Sequence, residues 1–319
     1  MKVLVIRFSS IGDIVLTSPV IRCLKKQINA EVHYLTKPAF KDVLIHNPYI
    51  DKIHFLSENF FEQVKELKSE NFDYIIDLHH NLRSLKFKKA LAVRSYSFNK
   101  LNWKKWLMVN FKWNQLPKKH IVDRYLETCS KLGVKNDMEG LDYFISEKDA
   151  FDLTNLPENF RKDYVGLVIG AQHATKRLPK HKLLELCTKI QLPIILLGGK
   201  DDARIADELV KSNPEKILSA CGKFPLNQSA YLVKNAKYII SHDTGLMHIA
   251  AAFKKEVFSI WGNTIPEFGM YPYKTEYHSL EVNDLNCRPC SKIGYNACPK
   301  KHFNCMNKQN FDSILEKIQ

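Results

Sequence analysis

Lys2-Val3-Leu4-Val5-Ile6, followed closely by Ser9-Ser10-Ile11-Gly12-Asp13, is the stretch that decides the fold. The first five residues are rich in β-branched side chains, which is typical of a buried strand. The next segment has the glycine and the polar residues of a turn. Apolar residues then recur in a helical pattern at Ile14, Leu16, Val20, Ile21 and Leu24. A strand, a glycine turn and a helix open a βαβ unit, which is built on a parallel sheet.

The same alternation of short apolar runs and helical patterns continues along the chain. Apolar runs predict further strands at 32–35, 74–78, 164–169, 193–197, 237–240 and 257–261. Helical patterns occur at 60–67, 182–190, 202–210 and 245–252. Strands separated by helices predict parallel sheets with helices on both faces. The expected fold class is therefore α/β, with doubly wound, Rossmann-like sheets.

The length of 319 residues and one polar interruption predict two domains. The stretch 146–163 has the turn-forming composition of a linker. We place the first domain at 1–155 and the second at 156–308, and regard a final helix at 309–319 as a candidate to pack back on the first. Two such domains facing a central cleft would bring the carboxyl ends of both sets of strands to one ligand-binding region.

The composition is that of an ordinary globular protein, with 45% hydrophobic and 26% charged residues. No run approaches the roughly 18–20 apolar residues of a transmembrane helix. The apolar run at the start ends at Arg7, which is too early for the core of a secretory signal. We therefore expect a cytoplasmic protein.

The net charge of +14 favours an anionic partner, such as nucleic acid, acidic lipid or a phosphorylated substrate. Three of the four tryptophans lie together with several lysines at 103–113. This segment is either an amphipathic helix packed on its own domain or a surface helix that meets an anionic membrane. Binding to nucleic acid is a third interpretation.

The loops that follow the strands of a parallel sheet carry the site in this architecture. After the first strand, Gly12 permits a tight turn and Asp13 begins the helix. Asp13 is either a helix cap or a general base on the floor of the cleft.

Two loops of the second domain suit a diphosphate. The residues 175–177 place Lys176 and Arg177 just before a helix, where backbone N–H groups add hydrogen-bond donors. Asp243, Thr244 and Gly245 begin another helix, with His248 almost one turn further on. The alternatives are solvated cations, a helix cap and a histidine of the core.

Several familiar nucleotide sites are absent from the sequence. It has neither a G-x-x-x-x-G-K-[ST] loop nor a G-x-G-x-x-G after a strand. It also has no Asp-x-Asp at a strand end to hold a divalent metal on a nucleotide sugar. These absences favour neutralisation of a diphosphate by side chains and a helix dipole.

These loops, in this order, resemble those of the ADP-heptose:lipopolysaccharide heptosyltransferases, glycosyltransferase family 9. The resemblance rests on residues 3–14, 176–179 and 243–248, and it spans nearly the whole chain. It implies a GT-B fold and an inverting, metal-independent transfer of heptose. The implied donor is ADP-heptose, and the implied acceptor is an anionic lipopolysaccharide precursor, the lipid A–inner core.

The resemblance also implies roles for individual residues. Asp13 corresponds to the general base and Lys176 to the cation that neutralises the departing diphosphate. Asp202 matches an acidic position near the ribose, and Phe224 an apolar contact of the adenine. The full donor set is Thr175, Arg177, Asp202, Phe224, Asp243, Thr244, Gly245 and His248. The candidate acceptor or cleft residues are Ser9, Ser10, Gly12, His79, Asn81 and Arg83.

Because the implied acceptor is embedded in a membrane, the resemblance implies peripheral contact with the anionic cytoplasmic face of the inner membrane. It implies no nucleic acid partner. Two other functions stay open. One is a glycosyltransferase of the same fold with another nucleotide-sugar donor. The other is a non-catalytic protein that binds a nucleotide or a lipid.

Four of the eight cysteines, Cys287, Cys290, Cys298 and Cys305, crowd the end of the sequence as C-x2-C-x7-C-x6-C. One C-x2-C with two more thiols can build a tetrahedral zinc site. The cluster therefore either binds a structural zinc or another thiophilic metal, or consists of unligated thiols. No cofactor is expected for catalysis itself.

Overall fold

The strand expected at the start of the chain is the central strand of a parallel sheet in the computed structural model, which describes residues 1–318. The strands are β1 Lys2–Ile6, β2 Glu31–Thr36, β3 Lys52–Phe55, β4 Tyr74–Asp77 and β5 Ser95–Ser97. Their order across the sheet is β3-β2-β1-β4-β5, and every pair is parallel. Residues 3–6 are fully buried, as expected for a central strand covered on both faces.

Helices alternate with these strands. Those of the first 144 residues are α1 Ile11–Val15, α2 Ser18–Ile28, α3 Lys41–Leu44, α4 Phe60–Ser69, α5 Leu82–Leu91, α6 Asn102–Phe111 and α7 Ile121–Glu127. The core on one side of the sheet joins apolar residues of β1 and β4 with those of α4 and α5.

A second parallel sheet follows, with the order β11-β10-β9-β6-β7-β8. Its strands are β6 Val165–Val168, β7 Ile194–Leu197, β8 Ile217–Ser219, β9 Tyr238–His242, β10 Glu256–Ile260 and β11 Tyr277–Leu280. The helices here are α8 Lys180–Lys189, α9 Ala203–Ser212, α10 Leu226–Asn235, α11 Gly245–Ala252, α12 Asn304–Asn307 and α13 Asp312–Leu315. The expected architecture of two doubly wound α/β sheets is confirmed.

The chain divides into two units at positions that differ from the expected ones. The first unit comprises 1–100 and 119–144, and the second comprises 101–118 together with the chain from 145 onward. The polar stretch 146–163 therefore belongs to the second unit. Its apolar residues explain why, because Leu156 and Phe160 are buried and Phe151 packs edge-on against Phe224 at 4.9 Å.

The end of the chain also lies in the second unit. We regarded 309–319 as a candidate to pack back on the first domain, but Phe311, Ile314 and Ile318 belong to the core cluster around β6 and β7. Gln319 lies outside the described residues. These apolar side chains complete a helix-covered face of the second sheet.

Helix α6, which carries the tryptophan-rich sequence, belongs to the second unit and has no buried residue. Its aromatic residues and Trp113 beyond it are exposed: Trp103 by 67%, Trp106 by 45%, Phe111 by 64% and Trp113 by 58%. Among residues 1–318, no helix has the length and apolar character to cross a membrane.

Candidate functional site

Asp13 lies at the carboxyl end of the central strand of the first unit. Its Oδ2 is 2.7 Å from Nη2 of Arg7, which follows β1 directly. The Ser10 hydroxyl donates to the same oxygen at 2.9 Å. Arg7 is itself fixed, because it donates to the carbonyl of Leu78 at 2.6 Å and to the Tyr125 hydroxyl at 3.1 Å. Asp13 is therefore more than a helix cap: it is the acceptor of a buried hydrogen-bond network.

The surroundings of Asp13 keep it ionised. Burial opposes its ionisation, but the charge of Arg7 and the hydrogen bonds from Ser10 outweigh that effect and lower its pKa below the usual value. Burial would lower the pKa of Arg7, and the Asp13 carboxylate raises it instead. A quarter of the Asp13 side chain stays exposed. The result is a charged carboxylate that a ligand can reach.

Asp77, at the end of β4, organises the loop that holds His79, Asn81 and Arg83. Its carboxylate is fully buried and accepts the backbone N–H groups of His79 and His80 at 3.1 and 2.7 Å. It also pairs with Lys88 at 2.9 Å. The sequence pattern places Asp77 inside the strand predicted at 74–78 and gives it no role of its own.

The three expected residues of this loop lie in different surroundings. Asn81 caps α5 by accepting the Ser84 N–H at 2.9 Å, so it has a structural role. Burial, together with the nearby charge of Arg7, lowers the pKa of His79 to about 4, which keeps this imidazole neutral. Arg83 is exposed at the start of α5.

Arg124 on α7 is a residue that the sequence interpretation missed. It is only 6% exposed, and its Nε and Nη2 have no hydrogen-bond partner among the described residues. Burial lowers its pKa. A buried guanidinium with two unpartnered nitrogens is costly, so this position suits an anionic ligand. An arginine inside the apolar helical pattern Ile121, Val122, Tyr125 and Leu126 was the available signal.

In the second unit, the structure brings Lys176 and Asp243 together. Nζ of Lys176 is 2.5 Å from Oδ2 of Asp243, and Thr264 donates its hydroxyl to the same oxygen at 3.2 Å. Both side chains of the pair are largely buried. Arg177, the second expected cation, lies 3.5 Å from Asp202 and donates to the carbonyl of Ala171.

The pair lies beside the start of α11, where backbone donors are available. Thr244 is the N-cap residue, but its side chain makes no hydrogen bond to the helix. The first-turn N–H groups, beginning at Gly245, are therefore left without a side-chain cap and can meet an anion. His248 is 2% exposed on the same helix. A cation and a helix N-terminus together suit a diphosphate.

Asp202 is buried between two glycine loops. Its Oδ2 accepts the N–H of Gly199 at 2.8 Å. A Cβ placed on Gly170 would lie 2.2 Å from this oxygen, and one on Gly198 would lie 2.8 Å from it. Both loops therefore need glycine so that the carboxylate can fit. The geometry gives Asp202 a structural role in joining the ends of β6 and β7.

Phe224 lines an apolar cavity of about 180 Å³ within the second unit. The side chains of Phe151, Leu156, Ile195, Leu218 and Leu232 are among the others that line it. The cavity lies beside β8, and the sequence pattern did not predict this strand. A flat apolar ring is the kind of ligand that such a lining accepts.

The cysteine-rich segment supports the loop that follows β10. Arg288 donates to the carbonyls of Gly262 and Thr264 at 2.6 and 2.9 Å. Thr175 exchanges hydrogen bonds with the backbone of Tyr295 and is 2% exposed, so this expected donor residue faces the segment. The sequence pattern assigned no role to Arg288, because Arg288 stands between Cys287 and Cys290 and the interpretation of this segment concerned its thiols. It holds the loop that presents Thr264 to Asp243.

The four clustered thiols do not converge on one point. The Cys290 thiol donates to the Cys287 carbonyl at 3.0 Å, and Cys287 Sγ is 3.9 Å from Nε2 of His302. Burial raises the pKa of Cys290 to about 11 and that of Cys305 to about 12. Groups of three ligand atoms within 4.8 Å occur twice among residues 1–318, and neither group contains a cysteine.

A family model described as glycosyltransferase family 9 (heptosyltransferase) matches residues 61–301 of the chain. The lipopolysaccharide heptosyltransferase 1 of Campylobacter coli is 26% identical over 296 residues, which cover 83% of this chain and 84% of that protein.

Solved structures with the same fold cover nearly the whole chain. The glycosyl transferase family 9 protein of Veillonella parvula has a TM-score of 0.74 at 19% identity, covering 99% of this chain and 97% of the other. The E. coli heptosyltransferase WaaC with ADP-2-deoxy-2-fluoro heptose has a TM-score of 0.67 at 19% identity, covering 99% of both chains.

Proposed function

Because the chain belongs to glycosyltransferase family 9, the heptosyltransferase family, we propose that it transfers heptose from ADP-heptose to a lipopolysaccharide precursor, the lipid A–inner core. The observation that carries this proposal is the ionised, accessible Asp13, held by Arg7 and Ser10 at the end of β1. The names of the Campylobacter coli relative and of the WaaC complex support the heptose and the ADP moiety.

In the proposed reaction, Asp13 accepts the proton of the acceptor hydroxyl. The acceptor oxygen then forms a bond to the anomeric carbon of the heptose, and the bond from that carbon to the diphosphate oxygen breaks. Attack from the side opposite the leaving group inverts the configuration. A base with a lowered pKa is weak, so the proton moves as the new bond forms rather than before it.

The departing ADP takes up the negative charge, and the second unit supplies the groups that meet it. Lys176 is already paired with one carboxylate, that of Asp243, and lies beside the uncapped start of α11. Such preorganised donors stabilise charge without reorganisation. They replace a divalent metal, so we propose that transfer needs none. Thr244, Gly245 and His248 complete this part of the donor site.

The acceptor is anionic, and the first unit offers cations for it. Arg124 is buried with unpartnered nitrogens, while Arg83 is exposed at the start of α5. A phosphate or carboxylate of the acceptor would satisfy the Arg124 guanidinium, which supports bidentate recognition. We therefore add Arg124 to the acceptor residues, with His79 as a neutral hydrogen-bonding partner.

Helix α6 supports a peripheral contact with the anionic cytoplasmic leaflet. Trp103 and Trp106 are exposed and stack at 5.0 Å. Lys104 on the same helix is exposed too. Exposed tryptophan and lysine side chains suit the headgroup level of an anionic bilayer. This contact would keep the enzyme near a membrane-embedded acceptor.

The cysteine cluster is proposed as a structural metal site, for zinc or another thiophilic metal. The Cys290 thiol donates to the Cys287 carbonyl, and the other three thiols of the cluster lie near enough to Cys305 to raise its pKa. A shared ion would require the four sulfurs to draw together, since no three of them lie within 4.8 Å of one another among residues 1–318. Metal analysis of the purified protein tests the proposal by comparing zinc and iron content in wild type and Cys287→Ser/Cys290→Ser. Bound metal that is lost in the variant supports the site. Equal content in both proteins contradicts it.

Transfer is tested by incubating the full-length protein with a lipid A–inner core acceptor and ADP-heptose, ADP-glucose or UDP-glucose in separate reactions. The proposal predicts a heptosylated product from ADP-heptose alone, with inverted anomeric configuration by NMR and unchanged yield in EDTA. Transfer from another donor would show a glycosyltransferase of the same fold with a different nucleotide-sugar donor. Tight ADP binding without any transfer would show a protein that binds the nucleotide without catalysis.

A further inference from the structure

Two buried histidines of the first unit, which the proposed reaction does not use, face each other in the fold. His33 on β2 and His54 on β3 are each 2% exposed. The strand register pairs Leu35 with His54, so the two histidines share one face of the sheet. Nδ1 of His33 lies 2.9 Å from Nε2 of His54.

A carboxylate holds the outer nitrogen of each ring. Nε2 of His33 is 3.0 Å from Oε1 of Glu31, and Nδ1 of His54 is 3.1 Å from Oε1 of Glu66. An ionised carboxylate can only accept hydrogen bonds, so both outer nitrogens carry hydrogen. If both imidazoles are neutral, the two inner nitrogens, Nδ1 of His33 and Nε2 of His54, carry no hydrogen and point their lone pairs at each other. A positive charge between them, either a proton or a metal ion, removes the repulsion.

A third ligand atom lies beside the two inner nitrogens. Oε2 of Glu70 is 3.9 Å from Nδ1 of His33, and a carboxylate oxygen of Glu70 lies within 4.8 Å of a ring nitrogen of each histidine. Glu70 follows α4 directly and is one helical turn beyond Glu66. Two imidazoles and a carboxylate form a donor set that zinc uses.

The local charge favours a cation. Glu70 pairs with Lys2 at 3.3 Å and with Lys52. The three carboxylates of Glu31, Glu66 and Glu70 thus outnumber the two ammonium groups by one. The Phe72 ring, edge-on to His33 at 5.2 Å, limits access of water.

We propose that His33, His54 and Glu70 form a structural site for Zn²⁺ or a similar divalent transition metal, with Glu31 and Glu66 as the carboxylates that orient the two rings. Histidine ligands of metals characteristically donate their other N–H to such a carboxylate. The ion would tie β2 and β3 to the end of α4. This site is independent of the proposed transfer reaction and of the cysteine cluster.

The test uses the full-length Cys287→Ser/Cys290→Ser variant, so that the proposed thiolate site does not take up the probe. This protein is stripped with chelator and titrated with Co²⁺, and its visible absorption is followed. We expect a bound Co²⁺ with d–d bands but without the near-ultraviolet charge transfer of thiolate ligands. His54→Gln should abolish this signal, and Glu66→Gln should weaken binding about 10–100-fold. His278→Gln is the matched control, because His278 belongs to the other three-ligand group, with Glu256 and Glu276. It should bind Co²⁺ as the Cys287→Ser/Cys290→Ser parent does.

The contrary results are equally definite. The proposal fails if Glu66→Gln leaves the affinity unchanged, if His278→Gln removes the signal, or if only thiolate charge transfer appears. It also fails if no Co²⁺ binds and histidine NMR shows a proton shared between the two rings. Glu66 is 56% exposed, so its variant keeps the test usable should His54→Gln fail to fold.

Discussion

At the scale of the residue, Asp13 shows how neighbours turn a common helix-start residue into a candidate base. Its sequence position alone fits an N-cap equally well. Asp13 does take part in capping, because it accepts the backbone N–H of Ser10, the N-cap residue of α1, at 3.3 Å. The distinction comes from Arg7 at 2.7 Å, whose charge holds the carboxylate ionised. A charged carboxylate that is partly exposed can receive a proton from a bound hydroxyl, whereas a neutral one cannot.

Arg7→Gln should move the acidic limb of the kcat/KM profile to higher pH. Burial raises the pKa of Asp13, and the charge of Arg7 is the largest effect that lowers it. Without Arg7 that pKa rises, so activity that depends on the ionised form is lost at a higher pH as the solution is acidified. The same lowered pKa also stabilises the folded protein. This contribution is present at pH values above the pKa of Asp13 in the unfolded chain, about 3.9, and it is lost as the pH falls through the lower pKa of Asp13 in the folded protein.

The measurement is kcat/KM between about pH 4 and pH 8, with thermal unfolding recorded at each pH. Lys89→Gln is the control, because Lys89 is an exposed cation of the same unit. A profile that does not move in Arg7→Gln would show that Arg7 does not set the titration of the base.

Lys176→Ala should lower kcat by roughly 10²–10³-fold, the usual effect of removing one preorganised donor to developing charge. It should also weaken ADP binding, measured by calorimetry. Lys180→Ala is the matched control: Lys180 is half exposed on α8 and pairs with Glu208. Equal kcat values for the two variants would remove Lys176 from the site.

The sequence predicts site roles for Asp13, Lys176 and Asp243 but not for Arg124 or Arg288. The first three stand in loops after strands, which the βα pattern locates. Arg124 becomes notable only through burial without partners, and Arg288 only through its reach to the carbonyls of 262 and 264. Neither property can be read from a side chain's position in the sequence.

At the scale of the element, the loops after β6 and β7 depend on the absence of side chains. Gly170→Ala should destabilise the protein by about 1–3 kcal/mol, because its Cβ would meet Asp202 at 2.2 Å. Gly199→Ala is the control, since its Cβ would lie 3.7 Å from the same oxygen, an ordinary contact. Denaturant unfolding measures both. Equal midpoints for the two variants would contradict the packing of Asp202.

Helix α6 should act as a membrane contact. We expect Trp103→Ala/Trp106→Ala to reduce binding to vesicles containing anionic lipid, because two exposed rings are removed. Transfer to a water-soluble acceptor should be unchanged. Phe61→Ala is the control, because Phe61 is 83% exposed on α4. Sedimentation with vesicles measures the binding. Equal binding of the wild type and the double variant would contradict a role for α6 in membrane contact.

Element prediction from the sequence was best for long apolar runs and poorest for short edge strands. The strands β1, β2, β4, β6, β7, β9 and β10 were located within two residues at each end. The strands β3, β5, β8 and β11 have three or four residues and mixed polarity, so no apolar run marks them. Of the two histidines of the proposed metal site, His54 lies on one of these edge strands, β3, where polar residues blurred the strand pattern.

At the scale of the whole molecule, the sequence predicted two α/β units but placed their boundary late. Polar and turn-forming residues at 146–163 suggest a linker, yet Leu156 and Phe160 anchor this stretch in the second unit. Composition averages over a segment, whereas a few buried side chains decide where it packs. For the same reason, α6 was not assigned to the second unit from its sequence.

The central claim is most directly tested by acceptor-dependent release of ADP from ADP-heptose, comparing wild type, Asp13→Asn and Asp42→Asn. Asp42 is an exposed aspartate of α3 in the same unit. We predict full release by wild type and Asp42→Asn, and a loss of about 10²–10⁴-fold in Asp13→Asn, with ADP affinity and the unfolding temperature retained. Equal release by Asp13→Asn and wild type would contradict the account, because the residue on which it rests would not be the base.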